Sequence, residues 1–131
     1  MNPEIAQLVR LSLAFHNLNK AAEGKFGLSL VQYYLLVTLR DMPGCSPQKL
    51  AKAISVHPST LTQSFKRLQK KEALFVGQDP KDARKKILSM TRTGNQLLNR
   101  FSRGIGELLS NGEFQKYFMF VHRNAENEMR K

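Results

Sequence analysis

The sequence predicts a mainly α-helical domain that carries one small β-hairpin. Its 131 residues are enough for a single domain with a real core. Apolar residues recur at helical spacing through most of the chain. Between Leu74 and Met90 that pattern gives way to strand formers on both sides of a turn. We therefore expect one domain over residues 1–131, in which a hairpin interrupts a series of helices.

The first predicted helix runs from Asn2 to Lys20 and is apolar on more than one side. Pro3 suits the first turn of a helix, and the glycine-containing segment Glu23–Gly27 is expected to break the chain. A helix that is apolar over so wide an arc must be buried on several sides. It therefore lies either at the centre of the domain or against a second chain.

The second predicted helix begins at Ser29 with a capping box. The Ser29 hydroxyl can cap the helix, and Gln32, three residues later, can reach back to the Ser29 backbone. Residues 41–44 are expected to end the helix. Its apolar stripe, which predicts one buried face, consists of Val31, Leu35, Leu36 and Leu39.

Two helices joined by a three-residue turn follow. Ser46 caps the first, which has Pro47 at its first position. Pro58 begins the second helix after the turn at residues 55–57. Such a pair is a helix-turn-helix.

The second helix of this pair, from Pro58 to Lys71, has two chemically distinct faces. At about 100° per residue, an apolar seam forms on one side. The opposite face holds no acidic and no large apolar residue. A helix that offers small polar groups to base edges and cations to phosphates has this pattern, so we interpret it as a recognition helix. The seam is Leu61, Phe65 and Leu68, and the outer face is Ser59, Gln63, Lys66 and Lys70.

The hairpin that follows is basic at its tip. Leu74, Phe75 and Val76 are strand formers, residues 78–83 have turn chemistry, and residues 86–90 alternate enough for a return strand. A basic hairpin directly after a recognition helix is a wing, placed to contact the adjacent minor groove or backbone. These elements predict a winged helix-turn-helix. The basic residues of the tip are Lys81, Arg84, Lys85 and Lys86.

Two more helices are expected after the wing. The first runs from Thr91 to Leu109 with one apolar face, and its Gly104 and Gly106 indicate a bend or a close helix crossing. Thr91 is expected to cap it. The second helix, over residues 113–129, is broadly apolar and aromatic, so it again needs burial beyond one face.

Positive charge is concentrated in one region of the chain. The net charge is +11. Residues 46–103 hold 13 Lys and Arg against 3 acidic residues, hence +10, and the rest of the chain holds 8 against 7, hence +1. A solvated surface needs no such bias, so a polyanionic partner is expected. Nucleic acid, an anionic membrane and an acidic protein all remain open on charge alone.

Several strings within this order of elements resemble the MarR family of bacterial transcription regulators. They are residues 27–33 at the start of the second helix, residues 50–68 in the helix-turn-helix, and residues 79–84 with 91–94 in the wing. The resemblance implies a homodimer whose N- and C-terminal helices, in residues 1–28 and 95–131, intertwine for dimerisation. It implies that residues 29–94 bind a pseudo-palindromic operator, often released by a small phenolic or other ligand. The sequence departs from the family pattern at His57, Ala73 and Gly77.

The predicted DNA contacts lie on the helix pair and on the wing. Gln63 is the strongest candidate for a base edge because its amide can pair with adenine through two hydrogen bonds. The lysines are expected at phosphates. Arg84 could enter the minor groove, or it could pair with Asp79 or Asp82 and hold the wing's shape. For the helix residues, an exposed polar face without a partner is the alternative. The full set is Ser59, Thr60, Thr62, Gln63, Lys66, Lys70, Lys49, Lys52, Lys81, Arg84 and Lys85.

Other sites find less support in the residues. His16, Tyr33 and Tyr34 could line an effector pocket, although core packing also explains them, and Cys45 is expected to be a structural thiol. No metal site, cofactor or catalytic motif is predicted. The lack of an apolar run of about 20 residues and of a signal peptide predicts a cytoplasmic location and no membrane partner.

We therefore expect a non-enzymatic, sequence-specific regulator, acting as a repressor, whose partners are double-stranded DNA, a second copy of the chain and a small effector. An adaptor on the same frame is the alternative, binding either DNA without sequence preference or another protein.

Overall fold

The computed structural model describes residues 2–110, which form five helices and one two-stranded sheet. This confirms the predicted fold class, mainly α-helical with a small β-hairpin. The predicted break at residues 111–112 and the helix at residues 113–129 lie outside the described residues. The elements are α1 (Pro3–Phe26), α2 (Leu30–Asp41), α3 (Pro47–Ala53), α4 (Pro58–Lys70), β1 (Leu74–Asp79), β2 (Asp82–Met90) and α5 (Arg92–Ser110).

Helix α1 is longer than the sequence predicts. It continues through Gly24 and ends at Gly27, whose φ of 79° lies in the left-handed region that glycine favours. The predicted break at Glu23–Gly27 is therefore wrong except at its last residue. The aromatic ring of Phe26 packs edge-on against Phe101, with 5.8 Å between ring centroids. Packing of this last turn outweighs the helix penalty of Gly24, which is about 1 kcal/mol relative to alanine.

The capping box of α2 is confirmed. Ser29 Oγ accepts the N–H of Gln32 at 3.2 Å, and the N–H of Ser29 donates to Gln32 Oε1 at 3.1 Å. The predicted apolar stripe is wrong at Val31, which is 47% exposed. Gln32 takes the buried position of that turn, because its amide oxygen is satisfied there by hydrogen bonds. The buried members of the stripe are Leu35, Leu36 and Leu39.

The predicted helix-turn-helix is confirmed in α3 and α4. Ser46 Oγ accepts the N–H of Lys49 at 3.1 Å and so caps α3. The turn reverses at Ser55, whose φ is 62°, and the N–H of Val56 donates back to the carbonyl of Ala51 at 3.0 Å. Helix α4 then packs across α3.

The wing is a longer hairpin than the sequence predicts. Its strands pair antiparallel from Leu74 opposite Met90 to Gln78 opposite Lys86, and the register shifts before Asp79. The turn shrinks from the predicted residues 78–83 to residues 80–81. Asp79 Oδ1 accepts the N–H of Lys81 at 2.8 Å, and this local bond closes the tight turn.

Backbone hydrogen bonds attach the wing to the loop before α3. The N–H of Leu88 donates to the Cys45 carbonyl at 2.8 Å, and the N–H of Gly44 donates to the Leu88 carbonyl at 2.9 Å. The wing is thereby held at a defined position beside the helix-turn-helix.

One hydrophobic core joins the five described helices and the hairpin. Phe101 is its largest buried side chain, and Tyr33 stacks on that ring with 4.3 Å between centroids. Gly104 lies where α1 and α5 cross, because a Cβ at this position would collide with the Phe26 ring. This crossing is one of the two explanations that the sequence left open for Gly104. Within residues 2–110, no helix is long and apolar enough to cross a membrane.

Candidate nucleic-acid interface

Helix α4 is capped by a histidine. His57 Nδ1 accepts the N–H of Ser59 at 3.2 Å and lies 2.7 Å from Ser59 Oγ. The His57 carbonyl also accepts the N–H of Thr60 at 2.9 Å. The imidazole thus supplies the acceptor that Asp, Ser or Thr usually provides at this position. The helix N-terminus, with its partial positive charge, remains at the protein surface.

The inner side of α4 is the predicted apolar seam. Leu61 and Leu68 are buried, and Phe65 is half-buried against the core. These three side chains face the hydrophobic core, α4 contacts α3, β1 and α2, and the opposite side of the helix faces solvent.

The outer face of α4 consists of Ser59, Gln63, Lys66 and Lys70, and all four are exposed. Thr60 and Thr62, beside this face, are exposed as well. The helix therefore presents hydroxyl and amide groups near its start and ammonium groups near its end. No acidic residue lies within α4, so no carboxylate of this helix competes for those cations. Whether these side chains touch DNA stays a prediction.

Helix α3 adds two cations beside α4. Lys49 and Lys52 are both exposed, and Ser46 caps the helix that carries them. Cations on this short helix suit contacts to the phosphate backbone, which position a protein without reading sequence.

The wing tip is basic and exposed, with Lys81, Arg84 and Lys85 all facing solvent. Arg84 Nε donates to Asp82 Oδ1 at 3.1 Å, and Arg84 Nη2 donates to Asp82 Oδ2 at 3.4 Å. This hydrogen bonding lowers the pKa of the Asp82 carboxyl. The Arg84 side chain nevertheless remains 91% exposed. Of the two acidic partners that the sequence left open for Arg84, the structure shows Asp82. The exposed Arg84 side chain also remains accessible to a DNA minor groove.

Thr91 joins the end of the recognition helix to the start of α5. Its Oγ1 accepts the N–H of Gly94 at 3.0 Å, as expected of a cap, and donates to the carbonyl of Glu72. Glu72 has a φ of 60°, which turns the chain from α4 into the wing.

Sequence reasoning missed one polar cluster behind the interface. Lys71, at the C-cap of α4, is half-buried and faces inward. Its Nζ donates to Glu23 Oε1 at 2.8 Å, to the Gly27 carbonyl at 2.9 Å and to Gln32 Oε1 at 2.7 Å. The hydrogen bond from Lys71 is the main cause that lowers the pKa of Glu23. The sequence shows Lys71 only as one of two adjacent lysines, so no local signal marks it.

The three residues suggested for an effector pocket lie in different settings. His16 is exposed on α1, Tyr34 is 53% exposed on α2, and Tyr33 is half-buried against Phe101. A groove of about 600 Å³ lies elsewhere, along α5, and is lined by Thr93, Gln96, Leu97, Arg100, Arg103 and Gly104. An effector pocket at His16, Tyr33 and Tyr34 stays a prediction.

Cys45 is buried, and its burial raises the pKa of the thiol. A thiol that is buried and protonated is a poor nucleophile, which fits the expected structural role. Within residues 2–110, no group of three or more His, Cys, Asp or Glu side chains could hold a metal ion.

A family model described as the MarR family matches residues 28–86. The matched segment holds α2, α3, α4 and most of the wing, so the predicted resemblance is confirmed there. The HTH-type transcriptional repressor NicR of Pseudomonas putida is 34% identical over 84 residues, which cover 62% of this chain and 53% of NicR. The match thus spans about half the length of that curated relative.

Two solved structures have a similar fold. The PcaV transcriptional regulator from Streptomyces coelicolor aligns over 100% of both chains with a TM-score of 0.70 and 21% identity. Bordetella bronchiseptica BpsR, whose DNA binding is regulated by 6-hydroxynicotinic acid, aligns over 92% of this chain and 91% of its own, with a TM-score of 0.63 and 23% identity.

Proposed function

We propose that this chain, whose residues 28–86 match a model of the MarR family, is a sequence-specific DNA-binding transcription regulator that acts as a repressor. The observation that carries the proposal is the exposed outer face of α4 beside an exposed basic wing. Hydroxyl and amide groups can read base edges in the major groove, while lysines hold phosphates. In this account Gln63 reads a base, Ser59, Thr60 and Thr62 contact bases or phosphates, and the lysines of α3, α4 and the wing bind the backbone.

In this proposal the protein binds DNA as a homodimer. The outer side of α1 exposes four large apolar side chains, Ile5, Leu8, Val9 and Leu13, which are 46–65% exposed. Contiguous apolar surface of this kind marks an interaction site. A second copy of the chain would cover it, together with the helices that the family resemblance places at both termini. Two recognition helices would then enter successive major grooves about 10 base pairs apart on a pseudo-palindromic operator.

A small ligand would release the operator by favouring a different spacing of the two recognition helices. Such a ligand acts only through its differential affinity for the two arrangements. BpsR offers a precedent within the same fold, since 6-hydroxynicotinic acid regulates its DNA binding.

Selection of bound fragments from a random duplex pool tests the proposal. We expect one enriched sequence with two inverted half-sites about 10 base pairs apart, centre to centre. Repeating the selection with aromatic acids tests for release. Equal recovery of all sequences would reject sequence-specific reading, and would favour an adaptor that coats DNA through phosphate contacts alone.

A further inference from the structure

Lys71 differs from the other lysines of the recognition helix. Lys66 and Lys70 point outward and are exposed, whereas the Lys71 side chain is only 27% exposed. The change of direction comes within one residue, because Lys71 is the C-cap and stands about 100° from Lys70 around the helix.

Every N–H of the Lys71 ammonium has an acceptor. An ammonium group carries three donors, and these reach Glu23, Gly27 and Gln32 at 2.7–2.9 Å. The acceptors lie 39 to 48 residues away in sequence, at the junction between α1 and α2. Lys71 therefore has no donor left for a phosphate unless this cluster opens.

Each acceptor is one that a cation stabilises. The Gly27 carbonyl lies at the C-terminus of α1, where unsatisfied carbonyls carry partial negative charge. Gln32 is 1% exposed, so its side-chain oxygen depends on hydrogen bonds from within the protein. Glu23 holds its negative charge more readily beside Lys71, as its lowered pKa indicates.

The cluster adds polar contacts between two helices that have different main packing partners. Helix α1 packs mainly on α5, while α4 packs on α3, β1 and α2. Directly after Lys71 the chain turns into the wing at Glu72, whose carbonyl Thr91 holds. Lys71 thus stands where the recognition helix, the wing and α1 meet.

We propose that Lys71 is a positioning residue for DNA reading. It holds the end of α4 against the junction of α1 and α2, so that the recognition helix and wing keep a fixed orientation relative to α1. It does not bind DNA itself. The proposal rests on the function proposed above, since α1 is the helix that would contact the partner subunit and set the distance between the two recognition helices of the dimer.

The test compares Lys71→Met with Lys70→Met on the selected operator and on random duplexes over a series of salt concentrations. Both changes remove one charge from adjacent residues. We expect Lys70→Met to weaken binding to all duplexes and to flatten the salt slope by about one unit. We expect Lys71→Met to lower operator affinity about tenfold, with less than about a twofold change on random DNA and a nearly unchanged slope. A slope change equal to that of Lys70→Met, or an unchanged operator affinity, would overturn the proposal.

Glu23→Gln provides a second, milder test that does not depend on the folding of Lys71→Met. Removing a carboxylate from a DNA-binding protein should strengthen binding to all duplexes if charge alone matters. If Glu23 acts by holding Lys71, the operator affinity should instead fall about threefold, and the double variant should bind no worse than Lys71→Met because the two residues act together. Tighter operator binding by Glu23→Gln would overturn the proposal.

Unfolding in urea separates this proposal from the proposed function. If the unchanged protein shows no operator preference, the proposed function fails. The cluster is still tested, because Lys71→Met should then lower the urea midpoint while Lys70→Met leaves it in place. Equal urea midpoints for the two variants would show that the Lys71 cluster does not stabilise the fold.

Discussion

Helices α1 and α4 each bury one side and expose the other, but the exposed sides differ in chemistry. On α1 the buried row is Ala14, Leu18 and Ala22, and the exposed surface of its first half includes an apolar patch of Ile5, Leu8, Val9 and Leu13. On α4 the exposed side carries hydroxyl, amide and ammonium groups. Exposure by itself therefore assigns no role to a surface, whereas the chemistry of the exposed atoms does.

Hydration is favourable for the exposed side of α4 and unfavourable for the exposed apolar side chains of α1. Water solvates the lysines and hydroxyls of α4 well, so that face is stable when exposed and, under the proposed function, would bind DNA with release of counterions. Burying the apolar surface of α1 is favourable by about 25 cal/mol for each Å² removed from water. Contact with another protein surface would therefore stabilise this face. One chain thus carries one face suited to DNA and another suited to protein.

The largest expected effect comes from a charge on the exposed side of α1. Leu8→Asp would place a carboxylate in the proposed dimer interface, and burying an unpaired charge there should shift the protein to monomer. We expect operator affinity to fall by at least about 100-fold, or about 2.7 kcal/mol. Sedimentation and operator binding measure both effects.

Asn17→Asp is the matched control for this change, since Asn17 is exposed on α1 outside the apolar surface. It should leave both the dimer and operator affinity nearly unchanged. A dimeric Leu8→Asp protein with full operator binding would remove α1 from the interface.

The next effect concerns base reading by α4. Gln63→Ala should relax the preference at one operator position and lower operator affinity by about 1–3 kcal/mol. Gln69→Ala serves as the control, because Gln69 is exposed on another side of the same helix. It should change neither the base preference nor the operator affinity. Binding to a panel of single-substitution operators measures the preference. Equal losses on operator and random DNA would reject a base-reading role for Gln63.

The third prediction concerns the crossing that fixes α1 on α5. An added Cβ at Gly104 meets the Phe26 ring, while one at Gly106 meets nothing within 4 Å. Gly104→Ala should therefore lower the free energy of unfolding by about 1–3 kcal/mol through overpacking. Gly106→Ala should raise it by up to about 1 kcal/mol through helix propensity. Urea unfolding measures both, and two changes of the same sign would contradict the crossing.

The smallest effect is expected from a single phosphate contact. Lys66→Ala should weaken binding to every duplex by a similar factor and flatten the salt slope by about one unit. Lys20→Ala removes a charge that is exposed on α1 instead, so it should leave the slope nearly unchanged. Titrations at four or more salt concentrations give the slopes. A Lys66→Ala slope identical to that of the unchanged protein would remove Lys66 from the phosphate contacts.

Local patterns predicted most of the fold and of the candidate interface. The capping box at Ser29, the helix-turn-helix, the seam of α4 and the basic tip of the wing all depend on residues within a few positions of one another. Their periodicity and capping chemistry therefore appear in the sequence. The end of α1 and the buried position in the first turn of α2 were mispredicted, because distant partners decide both. Phe26 packs on Phe101, and Gln32 receives a hydrogen bond from Lys71.

Lys70 and Lys71 show most clearly which features local sequence predicts and which depend on the fold. The apolar seam and the cationic outer face of α4 can be predicted from the sequence, because they follow from local spacing along a helix. The contacts of Lys71 with Glu23, Gly27 and Gln32, one residue after the solvent-facing Lys70, follow from the three-dimensional fold alone. The difference arises because an ammonium group is satisfied by whichever acceptors folding brings within about 3 Å, and here they come from residues that lie far away along the chain.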